Sequence, residues 1–300
     1  MVYELFLNTV KEQLEQALGE GYELFLRKVP KNNGIVLDGL CISKKGSSVA
    51  PAIYLNSCYS QYLSGRPVTD IVAEIEALYR ANEDLPVFDC SSLTDFESMK
   101  PRIICRLINS QWNELLLRDI PHIPWLDLAL VFHLALKEDE EGLMTALIQK
   151  EHLDIWGITQ KELYQAAMEN GPRSFPPIIT SMDHLLEELA GSPVISAALP
   201  LYVLTNTGGV GGASCLLYPN VLKNFAEGTE TDLIILPSSI HEVLLLPYET
   251  PISFKELSRL VSFINRSEVP EQDRLSDQVY LYTRSTDSVT IAPQNNALVC

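Results

Sequence analysis

The sequence is short of cations, has no long apolar run, and lacks the common metal and phosphate motifs. Each shortage removes a class of function. Lysine and arginine together number 22 against 39 aspartates and glutamates, giving a net charge of −17. A surface of that sign repels phosphate backbones, so neither nucleic acid nor an anionic membrane is expected as a partner. No run of eighteen or more uncharged apolar residues is present, which excludes a helical membrane span. The opening residues, MVYELFLNTVKEQLEQ, carry acids early and no basic region, unlike a secretory leader. The five histidines (His122, His133, His152, His184, His241) fall into neither H-x-x-x-H nor H-E-x-x-H. The six cysteines (Cys41, Cys58, Cys90, Cys105, Cys215, Cys300) never form C-x-x-C. Scattered, and several set in apolar runs, they read as reduced thiols of a cytoplasmic protein rather than disulfides or zinc ligands. No cofactor and no metal are expected.

What is there is a globular composition, 46% apolar and 20% charged, enough for a substantial core in one or two domains. Residues 3–18 repeat apolar side chains at helical spacing (Tyr3, Phe6, Leu7, Val10, Leu14, Ala17), with Gly19 placed to close the helix. Three strands are expected at 22–29, 35–43 and 49–55. Asn33-Gly34 and Lys45-Gly46 serve as tight turns, and Pro51 marks an edge. Helices over 57–63 and from Thr69 complete an N-terminal domain, residues 1–90. The stretch 82–101 reads as a linker to a larger domain, residues 101–300. There, strands at 102–109, 126–136 and 144–149 are separated by the Trp112 region and a Pro121/Pro124 turn. A short helix at 152–155 and one at 160–169 follow, the latter capped by Thr159 with Glu162. The stretches 54–75 and 147–167 both read strand, short helix, glycine, Thr-capped helix, which suggests a degenerate internal repeat. Asp183, His184, Glu187 and Glu188, on a helix at 182–189, read as a solvated face. The run Lys137–Glu141 reads as a solvated turn.

The most patterned stretch is 201–246. Gly208, Gly209, Gly211 and Gly212 invite a phosphate-cradle reading, but the residues after them, Ala213 to Tyr218, are strand-like and no Lys-Ser/Thr pair closes the loop. A β-hairpin with glycine at its turn is the preferred reading. Between the apolar runs 233–236 and 243–246 lies Pro237-Ser238-Ser239-Ile240-His241-Glu242. Ser239, His241 and Glu242 have the side chains of a nucleophile, a base and an orienting acid. No G-x-S-x-G elbow accompanies them, and the preferred reading is a polar hairpin turn. Further on, Ser253 and Glu256 cap a helix whose buried stripe is expected to be Phe254, Leu257, Leu260, Val261 and Ile264. Strands at 279–283 and 288–291 and a frayed tail, 294–300, end the chain.

Taken together, LALVFHLAL, DIWGITQKELYQAAMEN, SMDHLLEEL, GASCLLYPNVL, LPSSIHEVLLLP and LSDQVYLY resemble a domain-of-unknown-function family (5688) that recurs in Gram-positive gut bacteria. The second half is also similar to a wider uncharacterised bacterial family. The resemblance implies a cytosolic α+β protein and carries over no catalytic residues. The fold expected is α+β, antiparallel β-meanders covered by helices. The function expected is a non-enzymatic module that binds a protein or small-molecule partner, with a hydrolase using Ser239 and His241, backed by Glu242, as the alternative. A third reading, an acidic inhibitor or decoy, requires a contiguous acidic face.

Overall fold

The computed structural model describes residues 1–45, 52–82, 92–139, 142–192, 200–249 and 253–293. It separates into two compact units, Met1–Leu93 and Thr94–Cys300. Both are α+β.

In the first unit, α1 (Tyr3–Leu18) is followed by β1 (Tyr22–Pro30), β2 (Val36–Lys44), β3 (Ala52–Tyr54), α2 (Leu55–Leu63) and α3 (Val68–Asn82). The three strands form one antiparallel sheet in sequence order, which leaves β3 at an edge. Asn33 and Gly34 take the positive φ that the tight turn requires. The apolar stripe of α1 (Phe6, Leu7, Val10, Leu14) packs with Leu24, Leu40 and Ile42 of the sheet and Ile71 and Ile75 of α3. The unit therefore has a core of its own. Thr69 lies inside the first turn of α3 rather than capping it, and Leu78 of the same helix is exposed. The Lys45-Gly46 turn, Pro51, residues 83–91 of the expected linker and the tail fall wholly or partly outside the described residues. The described end of that linker, residues 92–101, carries short helical turns.

The second unit opens with α4 (Phe96–Met99), β4 (Ile103–Asn109), α5 (Glu114–Leu117), β5 (His122–Trp125), β6 (Leu128–Asp139) and β7 (Gly142–Leu147). β6 is the long central strand. It pairs with β4 along one edge, and with β5 and then β7 along the other. The Pro121/Pro124 segment is thus a strand, not a turn. Pro124 is accommodated because β5 is an outer strand that needs no second partner. Next come α6 (Lys150–Trp156), Gly157 in the left-handed region, and α7 (Gln160–Ser174). The Thr159–Glu162 capping box forms in both directions. α7 continues past residue 169, carrying Pro172 in its last turn.

The remaining elements are β8 (Pro177–Ser181), α8 (Met182–Ala190), β9 (Tyr202–Asn206), α9 (Val221–Thr229), β10 (Leu233–Pro237), β11 (Val243–Pro247), α10 (Phe254–Glu268), β12 (Tyr280–Thr283) and β13 (Ser288–Ile291). The strands make a six-stranded antiparallel sheet in the order β13-β12-β10-β11-β9-β8. Residues 212–217 do not form the expected strand. Gly212–Leu217 is a buried 3-10 turn, because β9 is already paired on both sides, by β8 and β11, and offers no edge to a hairpin partner. The turn packs instead between β9 and β4 and so links the two sheets. A second link is polar: Asp127 accepts hydrogen bonds from Ser276 Oγ (2.7 Å) and Tyr280 Oη (2.8 Å), and Asn109 Nδ2 donates to the Leu275 carbonyl.

Candidate functional site

The two stretches that attract attention in the sequence meet in space. β9 ends at Asn206, whose Nδ2 donates to the Val210 carbonyl (3.0 Å) and holds the glycine loop in a tight curl. Gly209 and Gly211 have φ of 62° and 67°, the left-handed region. The 238–242 loop is closed by the Ser239 N–H donating to the Glu242 carbonyl (3.1 Å). The two loops are then tied together. Ala213 N–H donates to the Ile240 carbonyl (3.3 Å), and Thr205 Oγ1 donates to the His241 carbonyl (2.9 Å). A Cβ at Gly212 would lie 2.3 Å from that same carbonyl oxygen, so only glycine lets the backbones approach this closely.

Ser239 and His241 are neighbours but not as nucleophile and base. Buried Ser239 turns its Oγ to accept from the backbone N–H of His241 (3.0 Å). The imidazole is occupied elsewhere: Nδ1 accepts from the Gly211 N–H (3.3 Å), and Nε2 stands 3.5 Å from Asp273 Oδ1. An accepting Nδ1 puts the ring proton on Nε2, where it faces the carboxylate. Asp273 is also held to the loop through its own carbonyl, which accepts from Ile240 N–H (2.8 Å). Glu242 contributes its backbone carbonyl to the loop closure. Asp183, His184, Glu187 and Glu188 lie on α8, where His184 and Glu188 form an exposed pair one helical turn apart (3.3 Å).

Behind the glycine loop lies a group of residues that motif reading passed over. Arg106 on β4 packs its stem against Gly211, where a Cβ would come within 2.9 Å of Arg106 Cγ. Across the sheet, the β4–β6 register sets Arg106 opposite Val131 and Ile104 opposite His133, so Arg106 and His133 are diagonal neighbours on one face. Among the described residues, Arg106 Nε and His133 Nδ1 are both sealed from solvent with no hydrogen-bond partner, although each residue as a whole is only partly buried. Burial alone lowers the Arg106 guanidinium to about 10, still a cation at neutral pH. Burial, and then the charge of Arg106, hold His133 well below its ordinary value. On the opposite face, burial pushes the Cys105 and Cys215 thiols up to about 12, so neither is a nucleophile at neutral pH. The four described cysteines (Cys41, Cys58, Cys105, Cys215) are all free thiols. Among the described residues, no group of three or more His, Cys, Asp or Glu is placed to hold a metal ion. The sequence did carry a signal for the Arg106–His133 pair: a cation in the apolar strand IICRLI and a histidine in LALVFHLAL, each a polar group in a strand otherwise fit for burial.

These features define a class: an α+β protein in which two loops of one sheet are locked together over a partly buried arginine on another, whose Nε has no hydrogen-bond partner among the described residues. The chain belongs to DUF5688, a family of unknown function, whose model it matches over residues 3–284. No curated protein and no solved structure matches it.

Proposed function

We propose that this chain is a non-enzymatic, cytosolic binding or interaction module whose partner is a protein or a small molecule, not nucleic acid or membrane. The observation that carries this is the hydrogen bonding of His241. Both ring nitrogens are engaged, by Gly211 N–H and by Asp273, while the Ser239 hydroxyl serves the backbone. With its Nδ1 lone pair accepting the Gly211 N–H, His241 is not placed to take a proton from Ser239. The net charge of −17 supports the exclusion of phosphate-rich partners, and no described helix is long and apolar enough to cross a membrane.

One observation favours the hydrolase reading, namely that an acid stands behind the imidazole, Asp273 rather than Glu242. That reading requires the Ser239 hydroxyl to displace Gly211 N–H from Nδ1. A broad fluorophosphonate probe separates the two. No labelling of the purified chain is expected. Labelling that disappears in Ser239→Ala and in His241→Ala but survives in Ser238→Ala would overturn the binding reading.

A further inference from the structure

We infer that the groove between the outward face of α10 and residues Asp277 and Gln278 docks an acidic segment of a partner protein, which brings an apolar side chain to Phe263. The inference rests on the interaction reading above and names the partner's chemistry.

The groove, about 690 Å³ in volume, is lined by three cations, Lys255, Arg259 and Arg266, and by one acid, Asp277. The chain as a whole has 39 acids to 22 cations, so the ratio is inverted here. That one acid is already engaged. Asp277 Oδ2 accepts from Ser262 Oγ (3.1 Å) and its Oδ1 from Asn265 Nδ2 (3.1 Å). Arg266 Nη2 donates to Ser262 Oγ (2.6 Å), a neutral partner. Among the described residues, the side chains of Lys255 and Arg259 make no ion pair and no hydrogen bond. Four other helices set a cation against an acid one turn away: Lys11 with Glu15, Arg80 with Glu76, Arg118 with Glu114, and Arg173 with Glu169. A carboxylate supplied from outside completes on α10 what those helices complete internally.

Helix stability does not account for the pattern. Lys255 stands in the first turn of α10, where the helix dipole disfavours a cation, and it repels Arg259 four residues on. Helical spacing puts residues 255, 259, 262 and 266 on one line, with Phe263 beside it and Leu260 beyond. Phe263 is 69% exposed and Leu260 50%. Apolar side chains rimmed by charge have the form of a protein-interaction surface. From Lys255 to Arg266 the helix rises about 16 Å, too far for one free ion and suited to an extended chain. A phosphate backbone carries charge along its whole length and meets the acids beyond the groove, whereas a peptide places its carboxylates where the cations stand. A second copy of a chain at −17 is repelled as a body.

The test is fluorescence anisotropy on the full chain with labelled synthetic peptides. One panel sets Glu and Asp around a single Leu or Phe, and a matched panel carries Gln and Asn in place of the acids. Saturable binding of acidic peptides is expected, weakening as salt rises, with none from the amide panel and none to phosphatidylserine vesicles. Arg259→Glu and Phe263→Ser, both at exposed positions, should each lower the affinity at least about tenfold. Lys161→Glu on α7 changes the net charge by the same amount away from the groove, and should leave the affinity within about twofold of the natural chain. Four results each overturn the assignment: no saturable binding by any acidic peptide, equal losses in Arg259→Glu and Lys161→Glu, binding to the vesicles, or a dimer in sedimentation that Arg259→Glu dissolves. None of them involves Ser239, so the fluorophosphonate experiment decides the binding reading separately.

Discussion

At Gly212 a hydrogen atom occupies a space no side chain could share. An added Cβ would meet His241 O at 2.3 Å, Thr205 Oγ1 at 2.4 Å and Asn206 N at 2.9 Å, and two of the three are backbone atoms that cannot rotate away. Gly212→Ala is expected to destabilise the chain by about 3 kcal/mol, the upper end of overpacking costs. Gly228 on α9 is the control: nothing lies within 4 Å of its Cβ position, and Gly228→Ala should stabilise by roughly 0.5–1 kcal/mol through helix propensity. Urea midpoints for the two variants measure both. A second residue-scale expectation concerns acid. The folded pKa of His133 lies well below its ordinary 6.5. Below pH 6.5 the unfolded chain therefore binds a proton that the folded chain refuses. Stability is fully present above that value and falls as pH drops toward the folded pKa, by at most about 1.4 kcal/mol per pH unit. Comparing urea midpoints at pH 7.5 and 5.5, His133→Gln should lose part of the acid sensitivity of the natural chain. An identical pH response in both would refute the assignment.

Among the elements, α10 shows how a periodic reading goes astray by one residue. The helix, its Ser253 cap and its length are readable from the sequence, but the inward face is Phe254, Leu257, Val261 and Asn265, not the stripe through Leu260 and Ile264. Leu260 is 50% exposed and Val261 6%. The cause is Asn265, 2% exposed, whose Nδ2 donates to Ser276 O (2.9 Å) and Asp277 Oδ1 (3.1 Å). A pattern that counts only apolar residues as buried discards it and rotates the face toward Ile264. Val261 packs with Ile234, Leu246, Val279 and Ala292, so Val261→Ala should cost roughly 1–3 kcal/mol, while Leu260→Ala should stay within about 0.5 kcal/mol of the natural chain. Equal losses in chemical denaturation would mean that Leu260 shares the buried face. The glycine-loop misreading has a different origin. Ala213–Tyr218 has strand-like composition, but pairing is a tertiary matter, and β9 had no edge left to give.

On the scale of the whole molecule, local pattern reached most elements, because apolar periodicity and caps act within a few residues. The α+β class and the meander of the first unit followed from it. What pattern could not reach was contact at long sequence separation. Ser239, His241 and Glu242 were visible as residue types, whereas Asp273 and Gly211 join them only through the fold. Arg106 and His133 likewise become a pair only through the β4–β6 register. The strand order has a consequence during synthesis. β10, with the sequence LIILP, gains β11 almost at once but must wait for β12, which lies beyond α10. Until the ribosome has delivered residues 280–283, the far side of β10 presents unpaired backbone groups on an apolar strand, a template for neighbouring chains. The interval between those two emergences is when a nascent chain is most exposed to aggregation, and a product truncated inside α10 would keep that adhesive edge permanently.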